Sequence, residues 1–176
     1  TDAVARKTWA SVLGFPEVGI GLLPGAGGTQ RTPRLIGVAD TLPLILQTKN
    51  VNAQKALELG LVHELAPADQ LVERARVWIL ESGDPVQPWD QKGFKPPLNL
   101  WSAAGMQMMA AGNALLRKET FGNYPNATNI MKCVYEGLQL PFDTALKVES
   151  RYFAHTMASP VARAMAGTKG FSAKRI

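Results

Sequence analysis

A single cysteine, Cys133, is all the thiol in this chain of 176 residues. One cysteine excludes an internal disulfide and a cysteine-ligated metal cluster, and it suits a reducing compartment. Its expected role is a small apolar residue on a helix face. Histidine is nearly as scarce: His63 and His155 stand apart, with no H-E-x-x-H pattern and no clustered acids, so no metal site is expected. No stretch is apolar and long enough to span a bilayer, and no signal-peptide pattern opens the chain. Internal repeats and low-complexity tracts are missing too. The first residue is Thr1 instead of methionine, which raises the expectation of a processed chain or a piece of a longer one.

What is present bounds the class. A hydrophobic content of 46% over 176 residues supports one compact domain with a core, with room for a second small helical unit. The formal charge of +5 comes from lysines and arginines scattered along the chain. No basic stripe with interleaved aromatics forms, so a nucleic-acid partner is not expected. Met106, Met108 and Met109 fall close together, where filling a core or interface is the commoner role.

Glycine and proline divide the chain. Residues 3–13 suit a short extended segment, and residues 18–23 alternate glycine with aliphatics as a tight strand or loop does. A helix is expected over 28–36, stopped by Gly37, and another over 39–47. Asn52 is placed to cap a helix through Leu59 that Gly60 ends, with a short strand over 61–65. Asp69 is expected to cap an amphipathic helix to Leu80, with Leu71, Val72, Ala75, Trp78 and Ile79 on one buried face. Residues 82–99 hold Pro85, Pro88, Pro96 and Pro97 with Trp89 and Phe94, and read as a linker and domain boundary. Helices are expected beyond it over 102–119, 125–138, 142–157 and 160–166.

The chemistry-bearing stretch is Phe15 to Arg34, in which Glu17 stands ahead of Pro24-Gly25-Ala26-Gly27-Gly28 and a helix start. A glycine cluster lets backbone approach a ligand closely, and free amides at a helix start favour a negative oxygen there. An acid feeding such a loop suits proton transfer or the holding of a water. The bland alternative for Glu17 is a loop acid paired with Arg31 or Arg34. Neither Gly19-Ile20-Gly21, with Pro24 in the third glycine's place, nor Gly25-Ala26-Gly27, with Gln30 there, makes a dinucleotide loop, Gly28-Thr29-Gln30 lacks the lysine of a phosphate loop, and no G-x-S-x-G is present.

Pro16-Glu17-Val18, Gly21-Leu22-Leu23-Pro24-Gly25-Ala26-Gly27-Gly28-Thr29-Gln30-Arg31 and Pro33-Arg34-Leu35-Ile36-Gly37 closely resemble the second signature of the crotonase (enoyl-CoA hydratase/isomerase) superfamily. Ala53-Gln54-Lys55-Ala56-Leu57-Glu58-Leu59-Gly60-Leu61-Val62 looks like the family's next helix and strand. Gly122-Asn123-Tyr124-Pro125 and Tyr135-Glu136-Gly137-Leu138 are similar to the helical segment of multifunctional fatty-acid oxidation proteins. The resemblance implies an α/β, partial crotonase-like fold with a mostly helical C-terminal segment. It divides the chain into 1–81 as the C-terminal part of a hydratase domain, 82–99 as linker and 100–176 as a helical segment leading toward a dehydrogenase domain.

In the family, two glutamates hold the water that adds to a 2-enoyl-CoA thioester, and two backbone amides grip the thioester oxygen. By resemblance Glu17 is the catalytic acid that protonates the α-carbon, and Phe15, Leu22, Pro24 and Gly25 bind substrate. Nothing before Phe15 matches the family's other glutamate or its glycine-rich oxyanion amides, so a complete site is expected only in a longer parent. The implied activity is enoyl-CoA hydratase in β-oxidation, with two alternatives: an enoyl-CoA isomerase using one carboxylate, or a non-catalytic helical interaction module. Coenzyme A arrives on the substrate and no cofactor is implied for this chain, NAD entering only with a dehydrogenase domain. The implied partners are an acyl-CoA thioester and either copies of itself or a β-oxidation complex with thiolase. The implied location is bacterial cytoplasm or a mitochondrial or peroxisomal matrix.

Overall fold

The computed structural model describes residues 11–81 and 86–171. Most of the segment 3–13 therefore lies outside the described residues, and its end forms strand β1, Val12–Leu13. A four-residue 3₁₀ turn, Glu17–Ile20, follows, and Gly21 closes it in the left-handed region at φ +83°. Helix α1, Gly28–Leu46, is broken by Gly37, whose φ of +79° and ψ of 168° are not helical. Strand β2, Val51–Asn52, pairs antiparallel with β1 in the register Val12 to Asn52 and Leu13 to Val51. Helices α2, Ala53–Leu59, and α3, Leu71–Glu81, precede the proline-rich stretch. Beyond it come a short 3₁₀ turn, Pro88–Asp90, and α4, Ala103–Thr120, α5, Pro125–Gly137, α6, Phe142–Met157, and α7, Pro160–Met165.

Local chemistry explains most of these boundaries. The Asn52 side chain accepts the Lys55 N–H at 2.8 Å, and Gly60 ends α2 at φ +79°, where a Cβ is unfavourable. The Ser102 and Ser159 hydroxyls cap α4 and α7 by accepting the N–H groups of Gly105 and Ala162, each at 3.1 Å. Pro125 and Pro160 sit at helix starts, where a missing N–H leaves no bond unmade.

Four expectations need correction. Residues 18–23 are not a strand: the N–H of Gly19 bonds Pro16 O and that of Leu22 bonds Glu17 O, which winds the backbone into the 3₁₀ turn. Residues 61–63 form bends and 64–65 are irregular, because the Leu61 N–H turns back to Ala56 O and no described strand lies beside them. The expected apolar face of α3 is not buried; Val72 is 82% exposed and Ile79 66%, and no residue of this helix is buried. Trp78 on that face lies against His63, the two ring centroids 5.6 Å apart.

The fourth concerns domains. The proline-rich stretch does not separate two cores. One hydrophobic cluster contains Leu23, Val38 and Ile45 from before it, Leu100 and Met109 from after it, and Ile130, Cys133 and Val134 on α5. Helices α5 and α6 pack against each other and both contact α1. Trp89 in the stretch stacks on Phe142 of α6 at 5.0 Å, so the segment crosses the body instead of tethering two bodies. No helix among the described residues is long and apolar enough to cross a membrane.

Candidate active site

Glu17 begins its 3₁₀ turn half-buried, with carboxylate oxygen Oε2 shielded and without a hydrogen-bond partner among the described residues. An unpartnered buried carboxylate oxygen is destabilising unless a ligand or a reacting group uses it. The bland alternative fails on geometry. The guanidinium of Arg31 donates to Ala26 O at 2.6 Å, and Arg34 donates to Gln30 O, Gln30 Oε1, Gly137 O and Leu140 O at 2.7–3.1 Å. Neither pairs with Glu17. Burial lowers the Arg34 pKa, and carbonyls at the end of α5 hold its charge in place of an acid.

The turn itself is gripped from α5. Asn126 is 1% exposed and its Nδ2 donates to Val18 O at 3.0 Å and to Leu22 O at 3.2 Å. Asn126 Oδ1 is buried and unpartnered.

The glycine-rich loop is used differently from expectation. Its helix-start amides are not open to a ligand, because Glu149 of α6, 1% exposed, accepts the Gly27 N–H at 2.6 Å through Oε1. Its Oε2 accepts the Thr29 N–H at 3.0 Å and the Thr29 hydroxyl at 2.5 Å. The chain's own carboxylate thus supplies the negative charge that the α1 N-terminus favours. The glycines admit helices more than ligand. A Cβ on Gly25 would lie 2.5 Å from the Phe153 ring, and one on Gly21 2.9 Å from Ala162 Cα.

Gly25 nonetheless stays exposed, and its N–H has no partner among the described residues. Pro24 beside it is buried, and half-buried Leu22 donates its N–H to Glu17 O at 2.9 Å. Phe15 lines a hollow of about 280 Å³ with Val12, Leu44 and Leu61. A larger apolar cleft of about 610 Å³ runs between α1, α4 and the start of α5, lined by Val18, Gly19, Leu42, Leu46, Met108 and Leu116 among others. It touches the Glu17 turn through Val18 and Gly19, whereas Phe15, Leu22, Pro24 and Gly25 stand outside its wall.

The sequence pointed to no role for Glu149, Asn126 or Gln30, and to Arg34 only as a candidate partner of Glu17. A signal for the first was available: Glu149 follows Val148 and lies four residues after Ala145, an acid on the face that α6 buries. Cys133 is fully buried, as its expected core role requires. Burial foremost, then the charge of Glu149, pushes its thiol pKa up to about 12.

Among the described residues, Glu17 Oε2 and the Gly25 N–H, eight residues apart in sequence, both lack a hydrogen-bond partner. The family described as enoyl-CoA hydratase/isomerase matches residues 1–84, just under half of the chain, and this segment is similar to that family. Among the described residues the regular structure is helical apart from one short antiparallel ribbon. Among similar proteins, the fatty acid oxidation complex subunit alpha of Shewanella amazonensis is 36% identical over 162 residues, covering 92% of this chain and 23% of that protein. The subunit of the same name from Shewanella halifaxensis is 36% identical over 155 residues, covering 88% and 22%. The chain thus spans less than a quarter of these relatives' length. An enoyl-CoA hydratase of Geobacillus kaustophilus HTA426 is 26% identical with a TM-score of 0.39, covering 94% of this chain and 48% of that one.

Proposed function

We propose that the protein carrying this chain hydrates 2-enoyl-CoA thioesters in fatty-acid β-oxidation, with Glu17 as the acid that protonates the α-carbon. The observation that carries the reading is the shielded, partnerless Oε2 of Glu17 within the family-matched segment. In the reaction a water oxygen bonds to C3 and the C2–C3 π pair moves toward the thioester, forming an enolate. Glu17 then delivers a proton to C2, and the proton lost by water goes to a second carboxylate supplied by residues outside this chain. Backbone N–H groups stabilise the enolate oxygen as its charge develops, and the free Gly25 N–H is the candidate donor here. The cleft of about 610 Å³ beside Val18 and Gly19 offers apolar room for the acyl tail.

Coenzyme A enters as part of the substrate, and no resident cofactor is needed for these steps. The relatives are named as a complex subunit, which supports assembly with further β-oxidation subunits, a thiolase being the expected partner. A dehydrogenase domain, with its NAD, is the expected continuation of such a parent. The reduced, buried Cys133 suits cytoplasm or an organelle matrix.

An isomerase reading keeps one carboxylate and moves a proton between C4 and C2, and the family's description covers both activities. A parallel assay of the full-length protein on 2-enoyl-CoA and 3-enoyl-CoA separates them. Consumption of the conjugated thioester with formation of 3-hydroxyacyl-CoA is the expected result. Conversion of the 3-enoyl substrate with no hydration would replace hydratase by isomerase, and no reaction with either would end the enzymatic reading.

A further inference from the structure

We infer that Asn126 is a positioning residue for Glu17, an inference that rests on the reading of Glu17 as the proton donor. A 3₁₀ turn of four residues does little to hold itself, since its hydrogen-bond geometry is poor. Here the Asn126 amide bridges a carbonyl of the turn and one just past it: that of Val18, the residue after Glu17, and that of Leu22, whose own N–H returns to Glu17 O at 2.9 Å. Glu17 Oε2 has no hydrogen-bond partner among the described residues, so the direction of the carboxylate depends on the backbone beneath it. Whatever tilts the turn tilts the acid.

The side chain is suited to that task and poorly suited to stability alone. Two N–H bonds on one nitrogen serve two carbonyls, which neither an aspartate nor an apolar residue of that size does. The accompanying Oδ1 is buried without a hydrogen-bond partner among the described residues, a cost that stability alone does not explain. Asn129, one turn further along α5, provides the contrast. It is 3% exposed and donates to Thr156 Oγ1 at 2.8 Å, tying α5 to α6 and touching nothing on the Glu17 turn.

The test uses the full-length protein with steady-state hydration of a 2-enoyl-CoA and melting temperatures for Asn126→Ala, Asn126→Ser, Asn129→Ala and Glu17→Gln. The inference predicts that Asn126→Ala lowers kcat by about 10- to 100-fold, the scale of a misplacement near 1 Å, with KM changed by less than about threefold. Asn126→Ser, whose hydroxyl serves one carbonyl, falls between, and it carries the test should the alanine variant not fold. Asn129→Ala loses melting temperature and keeps its kcat. A kcat for folded Asn126→Ala or Asn126→Ser within about twofold of the parent overturns the inference, and so does an equal loss in Asn129→Ala. Retained turnover in Glu17→Gln removes the proton-donor reading instead, which is a different line of the same data.

Discussion

Neutralising Glu149 tests how the two ends of the chain are joined. Its carboxylate accepts two backbone N–H groups and one hydroxyl at the start of α1, across a sequence separation of 120 residues or more. Glu149→Gln keeps the shape but turns one acceptor into a donor. The new amide N–H₂ is satisfied by Thr29 Oγ1, and then the Thr29 N–H faces a donor and loses its acceptor. A lost hydrogen bond to a charged group is worth roughly 1.5–3 kcal/mol. Removing the anion from the helix start adds up to about 2 kcal/mol. Relief from holding a charge out of water opposes both. The net is a destabilisation of about 2–4 kcal/mol, a large share of the 5–15 kcal/mol typical of a whole domain. Urea unfolding measures it directly, as a fall in midpoint at unchanged slope, because the surface exposed on unfolding stays the same. A midpoint for Glu149→Gln corresponding to less than about 0.5 kcal/mol would refute the clamp, since an exposed acid behaves that way.

Two further outcomes follow from packing and burial. Gly25→Ala would set a Cβ 2.5 Å from Cδ2 of Phe153, so overpacking is expected to lower stability by about 1–3 kcal/mol, and Phe153→Leu in the same chain should recover part of it; no recovery in the melting temperature would rule out this clash. Cys133, with a pKa near 12, has about one thiolate in ten thousand at pH 8, so a thiol reagent should label it only after unfolding. The sign for stability follows: the unfolded thiol titrates near 9.0, so the contribution is full below that pH and is lost as pH rises toward 12. Labelling of the native protein at the rate of the denatured chain, or an alkaline stability profile identical in Cys133→Ala, would contradict the burial.

Elements defined by neighbours in sequence were legible, and elements defined by distant partners were not. Asn52, Gly60, Ser102, Pro125 and Pro160 mark their helix ends because caps act within one turn, and Gly37 marks the break in α1 for the same reason. Glu17 was legible from its motif, and that neither Arg31 nor Arg34 pairs with it is a fact of tertiary structure. The glycine loop misled, since glycines that admit Phe153 and Ala162 look in sequence like glycines that admit a ligand. The partner, Glu149, lies more than a hundred residues away. For α3, periodicity gave the right helix and an unburied face, because spacing says which residues share a side and nothing about what covers it. Proline density in the linker forbade long helices correctly, yet it carried no information on the core that Leu100, Met109 and Ile130 share with Leu23 and Ile45.

The central claim is that the unpartnered carboxylate of Glu17 moves the proton, and the hydration rate of Glu17→Gln in the full-length protein reads it most directly. General acid catalysis by one group is worth about 100- to 10,000-fold. The expected result is a kcat fall in that range with the melting temperature kept, because Glu17 Oε2 has no hydrogen bond to lose among the described residues. A Glu17→Gln protein that still hydrates enoyl-CoA within about threefold of the parent would contradict it.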